Sequence, residues 1–172
     1  MTRRHQRLDF CIVSALMILT AAACAARADT DESPAVPANS AASNLPQAIT
    51  AGGTIISLEL ALTPEEIGQG LMYRPHLAEN SGMLFLFRQE RVPSFWMKDT
   101  MIPLDLLFLD GQGVILEISE NAQPCALEPC PQYIPTHAAW AVLEVNAGFA
   151  ARHGLAAGDT LAFVNVPGYP RE

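Results

Sequence analysis

LDLLFLDGQGVILEISE, residues 104–120, decides the fold class. Two apolar-rich runs, Leu104 to Asp110 and Val114 to Glu120, flank Gly111-Gln112-Gly113. Strand-forming runs on either side of a short glycine-bearing connection predict a hairpin. Successive side chains of a strand alternate between its faces. Leu104, Leu106 and Phe108 therefore share one face, and Asp105, Leu107 and Leu109 the other. Both faces are apolar, which predicts a strand covered on both sides. Asp105 must then be ion-paired or hydrogen-bonded, because an unpartnered carboxylate in hydrocarbon shifts its pKa and neutralises.

Outward from this hairpin the chain keeps the same character. Thr54 to Leu62 alternates as a strand. Thr63-Pro64-Glu65-Glu66 carries a capping box with proline in the first turn, so a short helix is expected from there to about Met72. Gly82 to Phe87 and Ala139 to Asn146 read as buried strands, Phe95 to Lys98 as a shorter one, and Thr160 to Val166 as the last. Residues 121–136 form a loop with four prolines, and residues 148–154 have room for one helical turn. Many short strands separated by turn signals predict a mainly β fold, a compact sandwich or barrel-like single domain with one or two short helices.

The 172-residue chain opens differently. Arg3, Arg4 and Arg7 precede an apolar run from Phe10 to Ala23, and small residues continue to Ala28. A basic start, an apolar stretch and a small-residue exit predict a secretory signal peptide. Two exits fit. Ala26-Arg27-Ala28 suits cleavage before Asp29, whereas Ala21-Ala22-Ala23-Cys24 resembles a lipobox in which Cys24 becomes the lipidated first residue. Lipid at Cys24 would then be the membrane attachment. Residues 29–48, rich in Pro, Ser, Ala and Asn, read as a disordered tether, 49–167 as the domain and 168–172 as a tail. Removal of residues 1–28 leaves 6 basic and 17 acidic residues, a net charge of −11. Such a chain repels phosphate polyanions, so nucleic acid is not an expected partner. Cys125 and Cys130 remain in the domain, and in an oxidising compartment a local disulfide is the simplest reading.

GLMYR (residues 70–74), GMLFLF (82–87), FWMKDTMIPLDLLFLD (95–110), VLEVNAG (142–148) and GLAAGD (154–159) occur in that order. Together they resemble the domain of unknown function 192 family of bacterial and archaeal proteins, over about Thr54 to Val166. The resemblance implies a compact β domain, often exported, and no assigned reaction. Two departures are visible. Asp99 stands where the family commonly has Asn, and the Cys-bearing loop has the look of an insertion confined to a subset.

Two acidic residues fall on apolar strands, Asp105 and Glu144; the latter shares a face with Trp140, Val142 and Asn146. Arg74 is the expected partner, since a guanidinium holds a carboxylate bidentately, and Lys98 is the next. With Trp96 and Asp99 these residues outline a polar pocket or a buried polar network. A pocket of this kind suits a small ligand or an envelope component. Paired carboxylates also raise hydrolysis of an envelope polymer. A buried ion pair that fixes the fold explains the same residues more simply. Met72, Met83, Met97 and Met101 lie within 30 positions, which raises a soft-metal site for copper, although methionine also fills irregular cores. GxSxG, HxxxH and phosphate-loop patterns are absent from the sequence, so it offers no catalytic triad, zinc motif or cofactor. Phe95 and Trp96 point to opposite faces, one for the core and one free to floor a pocket.

Overall fold

A computed structural model describes residues 44–171. The segment read as a signal peptide, Cys24 and residues 29–43 of the segment read as a tether lie outside the described residues. Nine strands and two short helices follow in chain order: β1 (Gln47–Ile49), β2 (Ile55–Ala61), α1 (Pro64–Gln69), β3 (Ser81–Arg91), β4 (Phe95–Trp96), β5 (Leu104–Leu109), β6 (Ile115–Ala122), β7 (Gln132–Tyr133), β8 (Ala139–Asn146), α2 (Phe149–Arg152) and β9 (Ala162–Val164).

Seven strands form one sheet in the order β6-β5-β8-β3-β2-β1-β9, and β4 pairs with β7 in a separate ribbon. Only β2 and β3 run parallel within the large sheet, because α1 provides the crossover between them. Its start is built as the sequence predicts. The Thr63 hydroxyl accepts from the Glu66 amide at 3.2 Å, and the Glu66 carboxylate accepts from the Thr63 amide at 3.0 Å. The helix stops at Gln69, earlier than expected, because Gly70 leaves helical geometry at φ 47°.

The sheet curls into a half-barrel that brings its two ends together. Val114 bridges Thr160, the Ile115 amide donates to the Asp159 carbonyl at 2.8 Å, and Leu161 donates to Gly113 at 2.9 Å. Gly113 is required at that junction. Its φ is +88°, and a Cβ there would lie 2.7 Å from the Leu161 carbonyl oxygen. Asp110 holds the hairpin turn by accepting from the amides of Gln112 and Val114.

Each face of the sheet carries its own apolar cluster. Leu84, Leu107, Leu143 and Val145 pack on one side with Phe149, Leu155, Leu161 and Tyr169. Met83, Phe85, Leu106, Phe108 and Val142 pack on the other with Leu71, Phe95 and Met97. The expected covering of both faces is thus present, and β5 is buried along its whole length.

Three boundaries differ from expectation. β1 begins at Gln47, inside the segment read as tether, because it is held between β2 and β9. The proline-rich loop contains β7, which backs β4. Residues 168–171 are not a loose tail. Tyr169 is buried and its hydroxyl donates to the Asp110 carbonyl at 2.7 Å, while the Arg171 guanidinium stacks 4.6 Å above Trp140. The chain end closes over the hairpin turn.

Candidate functional site

Asp105 is fully buried, and neither Arg74 nor Lys98 is its partner. Its carboxylate accepts three backbone N–H bonds: from Asn121 at 2.8 Å, Gly148 at 3.1 Å and Ala150 at 3.0 Å. Gly148 is the N-cap of α2 and has no side chain of its own to cap with. A carboxylate on β5 therefore satisfies the first amides of a helix from a distant part of the chain, the task a local Ser or Asp normally performs. It also fixes Asn121, at φ 52°, where β6 ends. Asp105 is accounted for as a structural group.

Glu144 is not. Cross-strand register pairs Asp105 with Val145 and Leu106 with Glu144. Directly opposed residues share a face, so the two acids lie on opposite faces of the sheet. That corrects the reading of paired carboxylates in one cleft and removes the geometry for two-acid hydrolysis. Glu144 stands on the central strand β8 between Met83 of β3 and Leu106 of β5, and only 4% of its surface is exposed. None of the described residues hydrogen-bonds its side chain. Buried side-chain oxygens without a partner are absent among the described residues. The Glu144 oxygens accordingly keep contact with open space. That space is a cleft of about 260 Å³ over this face, with Glu144 in its floor. Burial raises the carboxyl's pKa from 4.5 to about 8, so Glu144 is a neutral acid at pH 7.

The cleft has a wall from residues 67–72, after and including the end of α1, and a second from Arg91, Ser94, Phe95, Trp96 and Thr100. Phe95 is buried and packs edge-on against Phe85 at 5.0 Å. Trp96 turns the opposite way and is 44% exposed at the rim, as the alternation of a strand requires. A larger and more apolar cavity of about 510 Å³, between α1 and the end of β3, shares Ile67, Gly68 and Arg91 with it.

The remaining predicted residues do not line this cleft. Arg74 pairs with Glu59, Nη1 to Oε1 at 2.5 Å and Nη2 to Oε2 at 2.8 Å, and lowers the Glu59 pKa by hydrogen bonding. Glu59 lies beside Met83, on the same face as Glu144 but two strands away. Arg74 was the natural candidate for Glu144 and is engaged elsewhere. Lys98 pairs with Glu128 and lies 5.4 Å from the Trp96 ring centroid. Asp99 accepts a hydrogen bond from the Tyr73 hydroxyl at 3.0 Å, and its carbonyl accepts from the Tyr73 amide at 2.8 Å. Both residues have positive φ, 62° for Tyr73 and 55° for Asp99. Two side-chain-bearing residues held in the left-handed region and tied to each other make a stiff clasp between the two walls.

The Cys125–Cys130 disulfide is formed, with Cα atoms 5.8 Å apart. Its loop is not an ornament. The Cys125 amide donates to Met97, the Asp99 amide donates to Cys125, and Glu128 meets Lys98. The loop therefore supports the Trp96 segment from behind. Met83 and Met97 are buried in the apolar cluster, while Met101 is exposed. Packing accounts for the first two, and the described residues contain no group of three or more His, Cys, Asp or Glu able to hold a metal.

Residues 47–163 match the family model DUF192, described as an uncharacterized ACR. The chain belongs to the DUF192 family. No curated protein matches it. A solved structure from Sinorhizobium meliloti 1021, described as a candidate transcription regulator, is 40% identical with a TM-score of 0.61, covering 70% of this chain and 93% of that one. A protein of unknown function from Novosphingobium aromaticivorans DSM 12444 is 34% identical with a TM-score of 0.63, covering 69% and 83%. Asp enters the left-handed region more readily than most side chains, which suits Asp99 to its φ of 55°.

Arg91, Ser94, Thr100 and Phe85 line the cleft and were not singled out in the sequence. Arg91 had the clearest available signal. It ends the polar run Arg88-Gln89-Glu90-Arg91 directly after GMLFLF, and that run continues β3 beyond the Gly82 to Phe87 strand expected.

Proposed function

We propose that this DUF192 protein is an exported, non-catalytic binding module of the cell envelope, and that its small ligand sits on Glu144 beneath Trp96. One observation carries the reading: a carboxyl group buried on a central strand, without a partner among the described residues, faces an open cleft with an aromatic rim. Burying such a group unpaired disfavours the fold. A ligand that donates to it relieves that penalty. With Asp105 committed to backbone amides on the opposite face, the cleft lacks the second acid that glycosidase-type hydrolysis uses.

Export rests on the basic and apolar start of the chain, with maturation at Cys24 or after Ala28. The regulatory description of the S. meliloti protein does not transfer as DNA binding. The 18 acidic residues here exceed the 10 basic ones, and four of those ten lie in the segment read as a signal.

Thermal unfolding of the purified mature protein against sugars, amines, amino acids and wall fragments tests the binding reading. A ligand that binds only the folded state raises the melting temperature with its concentration. The expected shift appears with one class and disappears in Glu144→Gln and in Trp96→Ala. No shift with any class, or one that survives both substitutions, overturns it.

A further inference from the structure

Glu144 is not the only charge-bearing residue that lines the cleft. Arg91 lines the same space. Arg91 is exposed, and its guanidinium lies 4.1 Å from the Phe87 ring centroid, at the border with the larger cavity that Phe87 and Arg91 both line. The ion pairs among the described residues are Arg74–Glu59 and Lys98–Glu128. A cleft of about 260 Å³ is therefore lined by an acid and an arginine that pair neither with each other nor with other described residues.

We propose that the cleft recognises an α-amino acid group, its ammonium on Glu144 and its carboxylate on Arg91, with the rest of the ligand passing beneath Trp96. This rests on the reading of the cleft as a binding site and specifies what it binds. A simple amine would leave Arg91 unused, a simple carboxylate would leave Glu144 unused, and a neutral sugar would exploit neither charge. Carboxylate recognition by a guanidinium is strong because two N–H groups match two oxygens. Size agrees. A cleft of about 260 Å³ has room for an α-amino acid group. Binding also moves a proton. Burial keeps Glu144 protonated; as an ammonium docks, the carboxyl ionises and its proton passes to the buffer.

Two sources offer this group: a free amino acid, or a wall peptide whose diaminopimelate side chain ends in one. Isothermal titration at pH 6.5 separates them. The probes are glycine, D- and L-alanine, propylamine, propionate, glucose and a diaminopimelate-bearing muropeptide. Amino acids are expected to bind with proton release, read as a heat that varies with the buffer's ionisation enthalpy. Propylamine and propionate should bind at least about tenfold more weakly. Glu144→Gln and Arg91→Met should each lose about tenfold or more, with unchanged folding by circular dichroism. Tighter binding of the muropeptide supports the wall source, and tighter binding of free amino acid the soluble one. Equal binding of propylamine and alanine, or affinity insensitive to Arg91→Met, overturns the proposal. Glucose binding without amino acid binding overturns it too, yet leaves the cleft a binding site. If no probe binds, both readings fall.

Discussion

Glu144→Gln preserves the shape of the cleft floor and removes its titrating proton. Burial raises the Glu144 pKa from 4.5 to about 8 in the folded protein. The native state then keeps a proton that the unfolded chain releases. The contribution of this group to stability is full below pH 4.5 and is lost as pH rises towards 8. Each pH unit in which only the unfolded state is ionised removes about 1.4 kcal/mol. Across the window the loss is about 4 to 5 kcal/mol, a large share of a typical domain's stability.

Urea unfolding of the ligand-free protein at pH 5, 6, 7 and 8 reads this directly. Every other ionisable group is common to both proteins and cancels in the difference. The stability of Glu144→Gln relative to wild type should climb steadily with pH, so that any deficit at pH 5 becomes an advantage at pH 8. Two parallel curves separated by a constant offset would refute the argument, since they would mean that Glu144 is ionised and solvated in the native cleft.

Three further outcomes follow from the packing. Asp105→Asn places an amide NH₂ against one of the three donors the carboxylate now satisfies, and should lower unfolding free energy by about 3 kcal/mol without altering ligand binding at the Glu144 cleft. Replacing Cys125 and Cys130 together by serine should reduce stability by about 2 kcal/mol, the amount for so short a loop; because the loop supports β4, Trp96 fluorescence should shift under conditions where the fold remains intact. Gly82→Ala puts a Cβ 2.7 Å from the Glu144 carbonyl oxygen across the β3–β8 ladder and should cost about 2 kcal/mol in denaturant unfolding.

The strands were legible because their pattern is local. Leu104 to Glu120 announces a hairpin through its own residues, and Thr63 to Glu66 announces a helix start in the same way. The terminal boundaries were not, because Gln47 and Tyr169 are ordered by partners far away in sequence. Arg74 looked like the partner of a buried acid because charge is legible and register is not. A shift of one residue between β5 and β8 would exchange the faces of every side chain. Only the observed register separates Asp105 from Glu144 and leaves Arg74 over Glu59.

The same physical rule applied to both acids, and it had opposite outcomes. A carboxyl in a sheet core needs a partner. Asp105 finds three amides that arise from the fold itself, and its role ends there. Glu144 finds none among the described residues, and the strand that buries it also opens it to a cleft rimmed by Trp96 and Arg91. Stability alone would favour an apolar side chain at that position, since a hydrocarbon there would match Met83 and Leu106 beside it. An acid kept neutral on the central strand is explained when something outside the chain completes it, and that is why the site is placed at Glu144 and not at Asp105.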